Sequence, residues 1–73
     1  MNNAATVAAA LIETKAINYR TGNAARADLK KIARDLYAAT GYNFAAAVDI
    51  AEEACAAAKM SPITVNMMIN FFA

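Results

Sequence analysis

The sequence predicts an all-α protein, a compact bundle of four short helices that forms one domain over residues 1–73. Alanine accounts for 21 of the 73 residues, and no residue type has a higher helix propensity. The two glycines and the single proline are too few for the turns of a sheet with several strands. Apolar residues also recur at the spacing that places them on one face of a helix.

The first predicted helix covers residues 3–20. Asn2, Asn3 or Thr6 can cap its start, and Gly22 in a Thr-Gly-Asn break follows its end. Its apolar residues fall on two sides, about 100° apart. One side carries Val7 and Leu11, and the other carries Ala8, Ile12, Ala16 and Tyr19. A helix that is apolar on two sides usually has two neighbours, and in so small a bundle one of them could be another chain.

The second and third predicted helices cover residues 24–40 and 44–59, and Gly41 and Asn43 lie between them as a stop and a cap. The predicted core face of the second helix is Ala25, Leu29, Ile32, Ala33 and Leu36. The predicted buried face of the third is Phe44, Ala47, Val48, Ala51, Ala54, Cys55 and Ala58. Because this third face is mostly alanine, we expect a neighbouring helix to pack close against it.

The fourth predicted helix covers residues 62–72 and begins at Ser61-Pro62. Serine accepts hydrogen bonds from free amides at a helix start, and proline has the backbone angle of the first helical position. Apolar residues surround this helix almost completely, including Met67, Met68, Phe71 and Phe72. These four residues are predicted either to form the core or to mediate self-association, since Met and Phe together make an adaptable apolar surface.

The charge and composition of the chain argue against some classes of function. The formal net charge of +1 gives no general attraction to nucleic acid or to an anionic membrane. The start lacks the basic segment of a secretory signal, and no uncharged run reaches the length of a membrane span. We therefore expect a cytoplasmic protein that makes no membrane contact.

Catalysis is not expected. The chain has no histidine, its only serine is the predicted cap Ser61, and its only cysteine, Cys55, falls on a predicted buried face. No glycine-rich phosphate loop is present, and one cysteine without histidine cannot complete a structural zinc site. The sequence thus predicts a protein that is not an enzyme and that needs no cofactor or metal.

Two charged surfaces are candidates for binding. Arg26, Lys30 and Arg34 recur every four residues along one flank of the second helix, with Tyr37 beside them. This flank is predicted to bind a polar or acidic protein surface, or to follow a phosphate backbone, or else to be an ordinary solvated face. On the third helix Asp49, Glu52 and Glu53 form an acidic patch. The patch could meet a basic partner or a cation, although a solvated face is the simpler interpretation.

Residues 49–70 resemble the helix-turn-helix of the lac-repressor family. Asp49, Ile50, Ala51 and Ala54 match its first helix, and Ser61, Thr64, Val65, Ile69 and Asn70 match its second. The resemblance implies DNA binding, with Thr64 and Asn66 facing the DNA. The segment between the two halves is about one helical turn longer than in the family and lacks its glycine, and Asn66, Met67 and Met68 occupy the recognition positions without any Arg or Lys.

The sequence therefore predicts a small regulatory or inhibitory protein that acts by binding another macromolecule, of the kind encoded by phages and mobile elements. A protein partner is favoured over nucleic acid, and a homodimer is a further option. Two alternatives stay open: a DNA-binding regulator that uses residues 49–70, and a structural homo-oligomer whose first and last helices supply the interface.

Overall fold

Four helices build the chain: α1 (Asn3–Asn18), α2 (Asn23–Ala39), α3 (Phe44–Ala57) and α4 (Pro62–Phe72). They are seen in a computed structural model that describes the backbone of residues 3–18 and 23–72 and the side chains of residues 4–13 and 28–72. The described residues contain no strand. The predicted all-α bundle of four short helices is confirmed.

The observed bounds differ little from the predicted ones. The helix α2 begins and ends one residue earlier than predicted, and α4 matches its predicted range. The helix α3 ends at Ala57 rather than at residue 59, because Lys59 adopts a left-handed backbone conformation with φ of 58°. The predicted end of the first helix at residues 19–20, and most of the break that follows it, lie outside the described residues.

The two terminal helices lie on opposite sides of the central pair. The helix α1 packs against α2 and α3, and α4 also packs against α2 and α3. Within the described ranges α1 and α4 do not touch, and α2 meets α3 over only a small area. The radius of gyration is 10.9 Å, close to the value of about 11 Å expected for a compact domain of this length.

The buried side chains form one core to which all four helices contribute. The predicted alanine face of α3 is buried at Ala47, Ala51, Ala54 and Ala58. The helix α1 contributes Ala4, Val7, Ala8 and Leu11. The other buried residues are Leu29, Ala33, Leu36, Cys55, Met68 and Phe72. Alanine on facing helices leaves little side-chain volume between them, which suits a bundle of such short elements.

Some predicted core positions are wrong or only partly buried. Phe44 was expected inside, but it begins α3 and 51% of its surface is exposed, because its contact with Phe72 covers only part of the ring. Ile32 and Val48 are half-buried at the edge of the core. On the second apolar side of α1, Ile12 is 52% exposed. Ala16, Tyr19 and Ala25 lie outside the described side chains.

The helix α2 ends in a Schellman motif, a pair of backbone hydrogen bonds that closes a helix C-terminus. The Tyr42 amide donates to the Tyr37 carbonyl at 2.9 Å, and the Gly41 amide donates to the Ala38 carbonyl at 3.0 Å. Gly41 has φ of 68°, which glycine adopts without steric cost. The predicted stop at Gly41 is confirmed.

The helix α3 ends in the same motif without a glycine. The Met60 amide donates to the Cys55 carbonyl at 2.9 Å, and the Lys59 amide donates to the Ala56 carbonyl at 3.1 Å. Lys59 takes the position that glycine occupies after α2. The Thr64 amide then donates to the Ser61 carbonyl at 3.0 Å as α4 begins at Pro62.

No helix within the described residues combines the length and the apolar character that crossing a membrane would require.

Candidate functional site

Aromatic side chains gather at one end of the bundle. The chain has six aromatic residues, and the five whose side chains are described lie together where the C-termini of α2 and α4 meet the N-terminus of α3. We call them the aromatic cluster: Tyr37, Tyr42, Phe44, Phe71 and Phe72. Residues from three separate stretches of the sequence thus form one surface.

Phe72 is the buried base of the aromatic cluster. Its ring stacks on Tyr37, with centroids 5.2 Å apart and planes at 18°, and it meets the edge of Phe44 at 6.1 Å and 90°. Tyr37 in turn meets Tyr42 edge to face at 5.3 Å and 88°. Stacked and edge-to-face pairs at such distances are favourable beyond the area that they bury. Each outer ring is therefore supported by one beneath it.

The turn after α2 fixes where Tyr42 stands. The Tyr37 carbonyl accepts the Tyr42 amide and also the Thr40 hydroxyl, the latter at 2.8 Å. The Asn43 side chain then accepts the Ala46 amide at 3.1 Å, which confirms the predicted cap of α3. With hydrogen bonds on both sides, the turn holds Tyr42 at φ of 61°, a conformation that is strained for any residue with a large side chain.

A cleft of about 250 Å³ opens beside the aromatic cluster. Its lining consists of Arg34, Tyr37, Tyr42, Phe71 and Phe72. The structure brings two sets of predicted residues together here: Arg34 and Tyr37 from the basic flank, and Phe71 and Phe72 from the last helix. Phe72 is buried in the core, Phe71 is half-buried and packs against it, and both line the cleft.

Large apolar surface is exposed around this cleft. Tyr42 is 68% exposed and Phe44 is 51% exposed, and the two rings belong to one connected cluster. Elsewhere in the described part of the chain, Ile12 and Ile63 are the large apolar residues that stand open to solvent. Apolar residues exposed singly are normal, whereas Tyr42 and Phe44 are linked through Tyr37 and Phe72 into one group of rings.

The basic flank is only partly visible. Lys30 and Arg34 are exposed and lie one turn apart on α2, and the Arg26 side chain lies outside the described residues. On the other flank Lys31 and Asp35 form an exposed ion pair at 3.6 Å. Arg34 makes no ion pair with any described side chain. Its guanidinium is thus available at the cleft.

The residues of the acidic patch lie at the solvated surface of the protein. Asp49, Glu52 and Glu53 are all exposed on the outer side of α3. Within the described residues no cluster of three or more acidic, histidine or cysteine side chains has the arrangement of a metal site.

Cys55 is a buried core residue, as predicted. It is 1% exposed, and its Sγ lies 3.9 Å from the Sδ of the equally buried Met68. Burial raises the pKa of the Cys55 thiol, because removal from water disfavours the charged thiolate. The thiolate is the nucleophilic form, so this site keeps the sulfur in its less reactive state.

The segment that resembles a helix-turn-helix consists of α3 and α4 joined by residues 58–61. On α4, Asn66 and Asn70 are exposed, Thr64 and Met67 are half-buried, and Met68 is in the core. Residues 60–73 carry no charged side chain, so α4 offers no cation to a phosphate backbone.

Sequence reasoning missed Tyr42 and Phe44 as surface residues. The available signal was the stretch Gly-Tyr-Asn-Phe, which places two aromatic residues on either side of a helix cap. Turn positions lie at the surface, and aromatic residues there have no obvious core to fill. No protein-family model, no curated protein and no solved structure matches this chain.

Proposed function

We propose that this chain is a small regulatory or inhibitory protein without enzymatic activity that binds another protein in the cytoplasm. The observation that supports the proposal is the cleft, where four aromatic rings, with Tyr42 exposed among them, and one unpaired cation converge from three parts of the sequence. Interface hot spots are enriched in Tyr and Arg and lie at well-packed pockets. An origin in a phage or mobile element fits the small size but rests on no residue.

The strain at Tyr42 supports the same proposal. A large ring in a left-handed conformation costs on the order of 1–3 kcal/mol, and such strain concentrates at binding sites. Asparagine or glycine would meet the backbone requirement at lower cost. Contact with Tyr37 offsets part of the strain, yet two thirds of the Tyr42 surface stays open. Contact between this ring and a partner would explain why a strained aromatic residue occupies the turn.

Neither alternative has comparable support. DNA binding through residues 49–70 would rely on α4, which has no cation, and on the acidic side of α3. Homo-oligomerisation through the first and last helices would rely on Ile12 and Ile63, which are exposed singly on helices that do not touch within the described residues.

The test compares Tyr42→Asn with Ile63→Asn as baits in extract of the cells that encode the chain. The two parent residues are equally exposed, at 68% each, so both variants remove the same kind of surface. Asparagine tolerates the left-handed conformation at position 42, and the turn is kept. We expect at least one protein that wild type and Ile63→Asn retain and that Tyr42→Asn loses.

Binding of that protein should then be reproduced with purified components by calorimetry. If no retained protein depends on Tyr42, the proposal is wrong. Retention that depends on Ile63 instead would move the binding surface to α4.

A further inference from the structure

We infer that the cleft binds an acidic segment of a partner protein, taking up one aromatic or large aliphatic side chain while a neighbouring carboxylate meets Arg34. This inference rests on the proposed function and names the chemistry of the partner. Three properties of the cleft lead to it: its volume, its lining and its charge.

The volume suits one side chain. Pockets for small molecules and cofactors occupy about 300–1,000 Å³, and this cleft, at about 250 Å³, lies below that range. A single anchoring side chain from a protein segment fits a cleft of this size, and such anchors dominate the energy of many interfaces.

The lining selects an apolar anchor. Four of the five lining residues are aromatic, and the rings that are open to solvent can be covered by an aromatic or aliphatic group. Contact with Tyr42 and Phe71 would remove apolar surface from water, which is the main source of affinity in such contacts.

The charge selects an acidic neighbour. Arg34 is the one charged residue among those that line the cleft. Residues 36–48 and 60–72, which supply the rest of the surroundings, contain no charged residue. Asp35 lies next to Arg34 along the chain, but its carboxylate is engaged with Lys31 on the other flank. Arg34 is therefore the one side-chain charge in the lining, and a guanidinium matches a carboxylate in geometry as well as in charge.

A protein segment fits better than a nucleic acid. Affinity for nucleic acid grows with the number of phosphates that are neutralised, and this cleft presents one guanidinium with Lys30 a helical turn away. Stacked bases would need a row of aromatic platforms along a basic groove, and the rings here surround a single cleft.

The experiment screens a library of random displayed peptides against the full chain, with Arg34→Glu and Lys59→Glu as parallel targets. Both variants change the net charge equally, both positions are exposed, and Lys59 lies in the turn at the end of α3, outside the cleft lining. Far-UV circular dichroism first checks that each variant keeps its helices.

We expect wild type and Lys59→Glu to enrich peptides in which an aromatic or large aliphatic residue lies close to Asp or Glu. For Arg34→Glu the acidic preference should disappear, and an enriched acidic peptide should lose about tenfold or more in affinity, the size of one charged hydrogen bond. Apolar peptides enriched through Tyr42 without acidic preference would overturn the inference but leave the proposed function standing.

Two further outcomes would also overturn the inference. One is an acidic preference that persists in Arg34→Glu, or no enrichment at all. The other is tighter binding of a fluorescent single-stranded oligonucleotide than of any enriched peptide, measured with wild type at low salt and lost in Tyr42→Asn. The cleft would then be a binding site for nucleic acid.

Discussion

The turns after α2 and α3 share their backbone hydrogen bonds and differ in the side chains that they carry. Both close a helix with bonds of 2.9 Å and 3.0–3.1 Å. In the first turn glycine takes the left-handed position, and the next residue, Tyr42, is left-handed too and exposed. In the second turn Lys59 is left-handed, and the next residue, Met60, is half-buried against the core.

The backbone hydrogen bonds that close a helix and the side chains exposed in its turn have separate causes in this chain. The second turn shows that this chain can end a helix without glycine and continue directly into the core. In the first turn Gly41, which adopts a left-handed conformation without strain, precedes Tyr42, a strained aromatic residue whose ring is exposed to solvent. The backbone motif therefore does not explain Tyr42, and the aromatic cluster around it does.

The largest expected effect comes from Phe72→Ala, which removes the ring beneath the first turn. Truncating a buried phenylalanine costs about 3–5 kcal/mol, and a chain of this length has a total stability of about 4–11 kcal/mol. We expect urea denaturation to show a loss of about half of the free energy of unfolding. Met60→Ala, which truncates the apolar residue of the second turn, should cost clearly less because Met60 is half-buried. Equal losses would mean that the aromatic cluster adds no stability of its own.

An intermediate effect, of opposite sign in the two turns, is expected at the left-handed positions. A Cβ added at Gly41 would meet no atom within 4 Å, so Gly41→Ala is destabilising only through its backbone, by about 1–2 kcal/mol. Lys59→Gly should stabilise the protein by up to about 1 kcal/mol, because the relief of the left-handed strain outweighs the additional chain entropy that glycine loses on folding.

Thermal unfolding of both variants, followed by circular dichroism, measures these changes. A stabilising Gly41→Ala or a strongly destabilising Lys59→Gly would contradict the assigned backbone conformations.

The smallest effect concerns Cys55, whose backbone carbonyl accepts the Met60 amide in the second turn. The pKa of Cys55 is raised in the folded chain, so the unfolded chain releases the thiol proton first as pH rises. Stability from this group is complete below the ordinary thiol pKa of about 8.5 and is lost as pH increases through the folded value. We expect the free energy of unfolding to fall more steeply above that pH for wild type than for Cys55→Ala. Parallel slopes would show that the thiol is not shielded from water.

Local signals were enough to predict most of the fold. Asn43 accepts the Ala46 amide, Gly41 closes α2 and Pro62 begins α4, and the helix bounds followed within two residues. The alanine face of α3 was predicted by spacing alone and is buried. Lys59 has no such signal, because nothing in its side chain favours a left-handed conformation, and the predicted α3 was therefore two residues too long.

The candidate site could be predicted only in fragments. Arg34 and Tyr37 on one helix, and Phe71 and Phe72 on another, were each singled out by their own spacing. Their meeting in one cleft depends on how α4 packs against α2, which the periodicity of either helix does not contain. Phe44 was misassigned for the same reason, since its helical face is apolar but the contact with Phe72 covers only part of its ring.

The separation of α1 from α4 leaves one terminal helix away from the candidate site. Within the described residues α1 packs against α2 and α3 but contributes no side chain to the aromatic cluster or to the cleft. The buried side chains that it contributes within residues 4–13 are Ala4, Val7, Ala8 and Leu11. Displacement of α1 would therefore take no ring and no guanidinium away from the surface that we assign to recognition.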